Sequence, residues 1–304
     1  METLLSEPVQ AIVAINVLLV LSLLFPFVTG VWSMGLPGFM AVGAYAGGWL
    51  TQAAGWPVWA ALVASAVAGA AITLPFGLLS LRIRGIYLAI ATLAAAELIQ
   101  LFFSHFAPTG GVMGLTGMPF LDPRWIVALA ALAFAASAWL YCTRLGKAMQ
   151  AAGSDPVVAA CHGLNVPALQ MSALAIGGAL AGLAGACFAH YYSFVAPNNF
   201  GFSRTVDILM FLVIGGFTPV GAVLGSTVLT LLPQFVSELE RWAPALYGTI
   251  ALVMAAFMPA GLVPKNRFGG LARRLRRRDA PTAVPAAAGA RTVPTPRPRG
   301  GADA

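Results

Sequence analysis

Few residues in this chain could do chemistry, and their spacing says which chemistries to leave aside. The histidines, His105, His162 and His190, and the cysteines, Cys142, Cys161 and Cys187, are scattered over different segments. They make no HExxH, no CxxC and no recognisable Ser/His/Asp grouping, so a metal centre, a disulfide framework and a nucleophilic triad are not expected. The glycines of PTGGVMGLTGMP, residues 108–119, lack the strand before and the Lys-Ser/Thr after that a phosphate loop needs. Two acids stand out instead. Glu97 lies thirteen residues beyond Arg84 in GIYLAIATLAAAELIQLFF, about 20 Å along a helix. A carboxyl at that depth either marks a transport or proton pathway, or stays neutral and bonds a neighbouring helix. Asp155 precedes Pro156 in RLGKAMQAAGSDPVVAACHGLNVPALQ, residues 144–170, the one long polar interruption of the sequence. Asp155 reads as an N-cap, Pro156 as the first helical residue and Gly163 as a left-handed terminator, which predicts a two-turn helix from Pro156 to His162.

The elements that position these residues must cross a membrane. Of 304 residues 59% are hydrophobic and 9% charged, against about 25% charged in soluble domains. No charged residue occurs from Pro8 to Leu81, enough for about three spans at roughly 20 residues each. The first 81 residues contain Glu2 and Glu7 and no Lys or Arg, a pattern that argues against a cleaved secretory signal. The net charge of +7 is local: residues 265–304 carry ten of the 17 Lys/Arg and two of the ten Asp/Glu. Residues 1–264 therefore read as the membrane domain, and 265–304 as a basic, then disordered, cytoplasmic tail rather than a nucleic-acid arm.

Taken in order, spans are expected at Val9–Val28, Val31–Leu50, Pro57–Leu79, Gly85–Phe106, Trp125–Tyr141 and Ala168–Tyr191. The second is interrupted by Gly and Pro37, and such a span either lines a cavity or packs closely on a neighbour. The sixth carries Gly177, Gly178, Gly182 and Gly185 at spacings suited to close helix approach; His190 near its end is expected at the interface. Residues 208–235 are interrupted by GGFTPVG. A single pass there would leave the basic tail outside, against the positive-inside tendency, so the segment is read as a hairpin, Ile208–Ile214 extended by a few residues on each side and then Val220–Phe235. Ala243–Leu262 completes an all-α polytopic fold of about eight or nine helices, some broken, with the N-terminus out and a short cytoplasmic helix in the 144–167 loop. Paired interruptions in the two halves point to a translocation pathway. The candidates for it are Ser33, Gly35 and Gly38, then Glu97, the outer-loop residues Thr109, Gly110 and Gly111, and Gly215 and Gly216.

The motifs LRIRGIYLAIATLAAAELI (81–99), TGGVMGLTGMP (109–119) and ALAGLAGACFAHYYSFVAPNNFGFSRTVDILMFLVIGGFTPVGAVLG (179–225), together with the central loop, closely resemble the permease subunits of branched-chain amino acid ABC importers of the LivM type. The resemblance covers most of residues 30–262. It implies a multi-pass protein of the bacterial inner membrane that works with a second, related permease subunit, two cytoplasmic ATP-binding subunits that hold ATP and magnesium, and a periplasmic substrate-binding protein, with no cofactor in this chain. In that family the central loop contacts the ATPase, and Gly146, Ala148, Ala151, Asp155, Ala159, Ala160 and Gly163 match its pattern, beside Pro156. The family often has charged residues around the position of Asp155, where this chain has Gln150, Gly153 and Ser154, and it also includes permeases for urea, short amides and aromatic acids. An ion-coupled secondary transporter or channel for a small organic solute is the alternative that broken spans and Glu97 permit.

Overall fold

The structure is a computed structural model that describes residues 7–235 other than 81 and 84, together with 248 and 249. Its helices are α1 (Glu7–Val28), α2 (Leu36–Gln52), α3 (Val58–Ser80), α4 (Ile86–His105), α5 (Pro123–Cys142), α6 (Arg144–Ser154), α7 (Pro156–Cys161), α8 (Val166–Tyr192), α9 (Phe202–Gly215) and α10 (Pro219–Phe235). Among the described residues, α1, α3, α4, α5 and α8 are each long and apolar enough to cross a membrane, and α2, α9 and α10 are shorter. The protein is an all-α polytopic membrane protein.

A helix apolar on every side is either a core helix or a membrane span, and α1 is both. α1 has the highest mean hydropathy of these spans, 2.7, and 83% of its most apolar stretch is buried. α5, α8, α9 and α10 pack around it. α8 reaches its neighbours through the glycines that its sequence singles out. A Cβ on Gly177 would meet the Ser22 carbonyl of α1, one on Gly178 or Gly182 would meet the Gly69 or Ser65 carbonyl of α3, and one on Gly185 would meet the Met40 carbonyl of α2. Backbones this close gain dispersion contacts in a medium where the hydrophobic effect gives helices no reason to associate.

The bundle has two distinguishable ends. Arg82, Arg144 and Lys147 mark one, the basic end, where residues 29–32, Ile83, Gly85, Leu88, Ala152, Gly153 and Pro156 line a shared cleft. At the other end, β1 (Leu115–Thr116) pairs antiparallel with β2 (Phe194–Val195) in the register Leu115↔Val195 and Thr116↔Phe194, tying together the two Gly-rich and Asn-rich connections.

Two expectations change. The second span is interrupted at its entry, not along its length: residues 31–35 are non-helical, and from Leu36 the helix is continuous. Pro37 sits in the first turn, where no N–H is missed, and the Met34 N–H is taken by the Thr92 hydroxyl at 2.9 Å. His190 is not interfacial but fully buried. Its Nδ1 faces the Ala186 carbonyl at 2.8 Å and its Nε2 the Thr51 hydroxyl at 3.2 Å. The expected hairpin is present as α9 and α10. Its tip lies at the basic end, where Phe217 stacks on Phe27 at 6.3 Å and its carbonyl accepts from the Tyr141 hydroxyl at 3.3 Å. The expected last span, Ala243–Leu262, and the tail lie outside the described residues apart from 248 and 249.

Candidate functional site

At the basic end, α6 and α7 form a built projection. Thr143 ends α5 and starts α6: its hydroxyl donates to the Leu140 carbonyl at 2.6 Å and accepts from the Gly146 N–H at 3.4 Å. α6 then lies against the bundle through Gly146, Met149 and Ala152, all buried, with the Gln150 amide donating to the Tyr141 carbonyl at 3.1 Å and Gly153 against the Val28 carbonyl at the end of α1. The sequence reading took this stretch as a loop. α7 is as predicted to within one residue. Asp155 Oδ1 accepts from Val157 N–H at 2.9 Å and Val158 N–H at 3.0 Å. Gly163, at φ 79°, closes it: the Gly163 N–H reaches the Ala160 carbonyl and the Leu164 N–H reaches the Ala159 carbonyl, the pair of bonds that defines a Schellman cap.

The seven residues matched in this loop, and Pro156 beside them, divide by role. Gly146 and Ala159 are buried against the protein's own backbone and side chains, and Ala148 is half-buried. Ala151, Asp155, Pro156, Ala160 and Gly163 are exposed, as are Val157 at 69% and Val158 at 50%. Two exposed valines on a helix of six residues are a poor arrangement for a surface that meets only water. Beside them opens a cleft of about 220 Å³ lined by Thr29, Val31, Ile83, Leu88, Gly153 and Pro156 among others.

The pathway candidates do not come together in one place. Ser33, Gly35 and Gly38 sit where the chain enters α2. Gly35 packs on the Thr92 carbonyl and Gly38 on Ala96 of α4, and the Ser33 hydroxyl is buried without a partner beside a cavity of about 10 Å³, room for one water at most. Glu97 is on the other side of α4, exposed. Thr109, Gly110 and Gly111 form tight turns at the end opposite the basic one. Gly215 and Gly216 make the hairpin turn, Gly215 against the Gly221 carbonyl and Gly216 at φ 96°.

The sequence profile of the branched-chain amino acid transport system permease component matches residues 9–258. The chain belongs to this family. It is 26% identical to the high-affinity branched-chain amino acid transport system permease protein LivM of Salmonella typhimurium and, equally, to that of Escherichia coli, in each case over 79% of this chain and 65% of the relative. The chain thus spans about two thirds of the length of these relatives. It is also 24% identical to the nucleoside ABC transporter permease protein NupC of Lactococcus lactis, over 84% of this chain and 95% of the relative. No solved structure matches the chain.

This permease-family chain also holds a polar constellation that sequence reasoning missed. Arg204, in the first turn of α9, turns its guanidinium inward and donates to Asn16 Oδ1 at 2.7 Å. The Asn16 amide in turn donates to the Thr230 hydroxyl at 2.9 Å. Only one orientation of the Asn16 amide satisfies both neighbours, and the chain of bonds ties α9, α1 and α10 together. Asn16 lies nine residues into α1, about 14 Å from its start. An arginine near a membrane surface ordinarily extends toward the headgroups, so the inward turn is a specific fastening. Asn16, an amide amid the leucines and valines of the first span, was the available signal.

Proposed function

We propose that this chain is the membrane-spanning permease subunit of an ATP-driven ABC importer of the bacterial inner membrane, carrying branched-chain amino acids or a related small polar solute. Its basic end faces the cytoplasm, following the positive-inside tendency, and its C-terminal tail lies on the same side. The partners are a second permease subunit, two cytoplasmic ATP-binding subunits that bind ATP and magnesium, and a periplasmic binding protein. Family membership and the relatives' names support this reading. The observation that carries it is the projection at the basic end, in which α6 is anchored to the ends of α1 and α5 and presents α7, capped at both ends, with Val157 and Val158 bare. A helix of six residues is far below the roughly 12–15 needed for marginal stability in water. Its caps and a partner surface hold it, and a rigid anchor lets movement of that partner reach α1 and α5.

Removal of the cap by Asp155→Ala costs about 1 kcal/mol locally, and Gly163→Val opposes the left-handed closure. The double variant is expected to insert and to pair with the second permease while losing co-purification of the ATPase and the stimulation of hydrolysis by loaded binding protein. Val157→Asp, a surface change that spares the caps, is expected to lose the same two activities. Wild-type recruitment and stimulation in all of these variants would reduce α6 and α7 to a connection. Uptake that followed the proton gradient without the ATPase would favour the ion-coupled carrier.

A further inference from the structure

We infer that the outward face of α4, centred on Glu97, is the seam with the second permease subunit, which supplies a hydrogen-bond donor to the Glu97 carboxylate at mid-membrane depth. This rests on the permease reading above. Three described helices, α3, α4 and α5, leave most of their surface bare, and they are not alike. α5 shows what a lipid-facing helix looks like: exposed Trp125 and Trp139 stand at its two ends with only Val127, Leu132 and alanines exposed between them, the arrangement of an aromatic belt. α3 has an exposed Trp59 near one end and no charged residue within its length. α4 alone of the three carries an acid in mid-span.

Glu97 is eleven residues from Ile86 and eight from His105, about 16 and 12 Å from the two ends of α4. It is exposed, and among the described residues no donor is bonded to it. α4 meets α2 through a different side, with Thr92 and Ala96 against Met34 and Gly38. On the Glu97 face of α4 are Ile90 and Leu101, seven residues before it and four after it, both exposed; Leu101 and the next exposed residue around the helix, Leu98, also line an apolar groove of about 750 Å³ with Val42, Ile72 and Phe102. An acid in hydrocarbon pairs with another polar group or lines water. Large aliphatic neighbours disfavour water, and their contiguity is that of a surface made to be covered. Two copies of this chain meeting on this face would set Glu97 against its own equivalent in a self-complementary contact, like charge on like. A different permease with a donor at that depth resolves both problems.

The test compares this chain alone with the chain co-produced with the second permease and the ATPase, each in nanodiscs and free of native cysteines. Cysteines are placed on α4 (Ala94→Cys, Leu101→Cys) and on α5 (Ala131→Cys) and reacted with a lipid-soluble maleimide. Co-assembly is expected to slow labelling of both α4 sites at least tenfold and to leave the α5 site unchanged. Glu97→Leu is expected to lower co-purification of the second permease at least tenfold, and Glu97→Gln, which still bonds, to stay within threefold. Unchanged labelling on α4, or protection confined to α5, overturns the inference. A disulfide between two copies of Ala94→Cys in the chain produced alone overturns it in favour of a second copy. Fast reaction of Glu97→Cys with a membrane-impermeant reagent in the assembled complex overturns it in favour of a water-lined wall. ATPase retained with α4 unprotected sinks this inference alone, whereas ATPase lost with α4 protected sinks the coupling role of α6 and α7.

Discussion

α8 and α4 are nearly equal in mean hydropathy, 1.8 and 1.9, yet 56% of the most apolar stretch of α8 is buried in the protein and 22% of that of α4. In water such a difference would be read from which side is greasy. In lipid both helices are greasy, and the deciding variable is how near a neighbour's backbone can come. α8 spends four small positions, Gly177, Gly178, Gly182 and Gly185, on three different neighbours. α4 turns one small stripe inward, Ala89, Thr92 and Ala96, and the rest of its surface keeps Ile90, Leu98, Leu101 and Phe102 exposed. Hydropathy therefore tells which segments enter the membrane, and for α8 it is the four glycines, not the hydropathy, that admit three neighbouring backbones.

The sharpest way to break this comparison is at Gly182. A side chain there would run into the Ser65 carbonyl and the Gly69 backbone of α3, and backbone cannot give way as a flexible side chain can. Gly182→Val is expected to cost about 3 kcal/mol or more, at the upper end of overpacking effects. In fluorescence-detected size exclusion after a heating series, the variant should lose its monodisperse peak at temperatures the parent survives. A variant as heat-resistant as the parent would mean that the glycine contacts between α8 and α3 do not hold the bundle.

A smaller effect is expected at the centre, where α1 buries an amide instead of a glycine. Asn16→Leu strands the Arg204 guanidinium and the Thr230 hydroxyl, and loss of a hydrogen bond to a charged group costs about 2 kcal/mol. Asn16→Asp keeps an acceptor for Arg204 and is expected to recover most of that loss in the same heating assay. Equal destabilisation by both substitutions would show that the amide matters by its shape alone.

These two sites also show what could be read before folding. The glycines of α8 were legible because their spacing speaks directly of helix contact, and the caps of α7 because Asp-Pro and Gly have backbone preferences that need no context. The α9–α10 hairpin was legible from the bookkeeping of charge across the membrane. α6 was not, since its buried face is Gly146, Met149 and Ala152, two of them too small to register as a hydrophobic stripe. The fastening by Arg204 was not legible either, because sequence position gives the depth of a Cα and not the reach of a long side chain. For Glu97 the depth was countable from Arg84, but the direction was not: a helix apolar all round offers no face from which to infer which way one acid points.

The smallest effects compare the two bare helices with each other. Leu101 on α4 and Leu132 on α5 are 55% and 67% exposed. In the chain alone, lipid fills whatever a shortened side chain vacates, so Leu101→Ala and Leu132→Ala should each change stability by less than about 0.5 kcal/mol, as surface substitutions do. Alone, the pair is expected to be indistinguishable. After co-assembly with the second permease, a leucine enclosed at the seam becomes a core residue, and its truncation approaches the 2–5 kcal/mol typical of buried Leu→Ala changes in proportion to how fully it is enclosed. Leu132 should stay in lipid and keep its small value. Measuring the thermal dissociation of the assembled complex for the two variants therefore separates a face that meets a protein from a face that meets lipid, even though neither exposure nor hydropathy distinguishes them. Equal and negligible effects in the complex would assign both helices to the bilayer, and a larger effect at Leu132 would move the seam to α5.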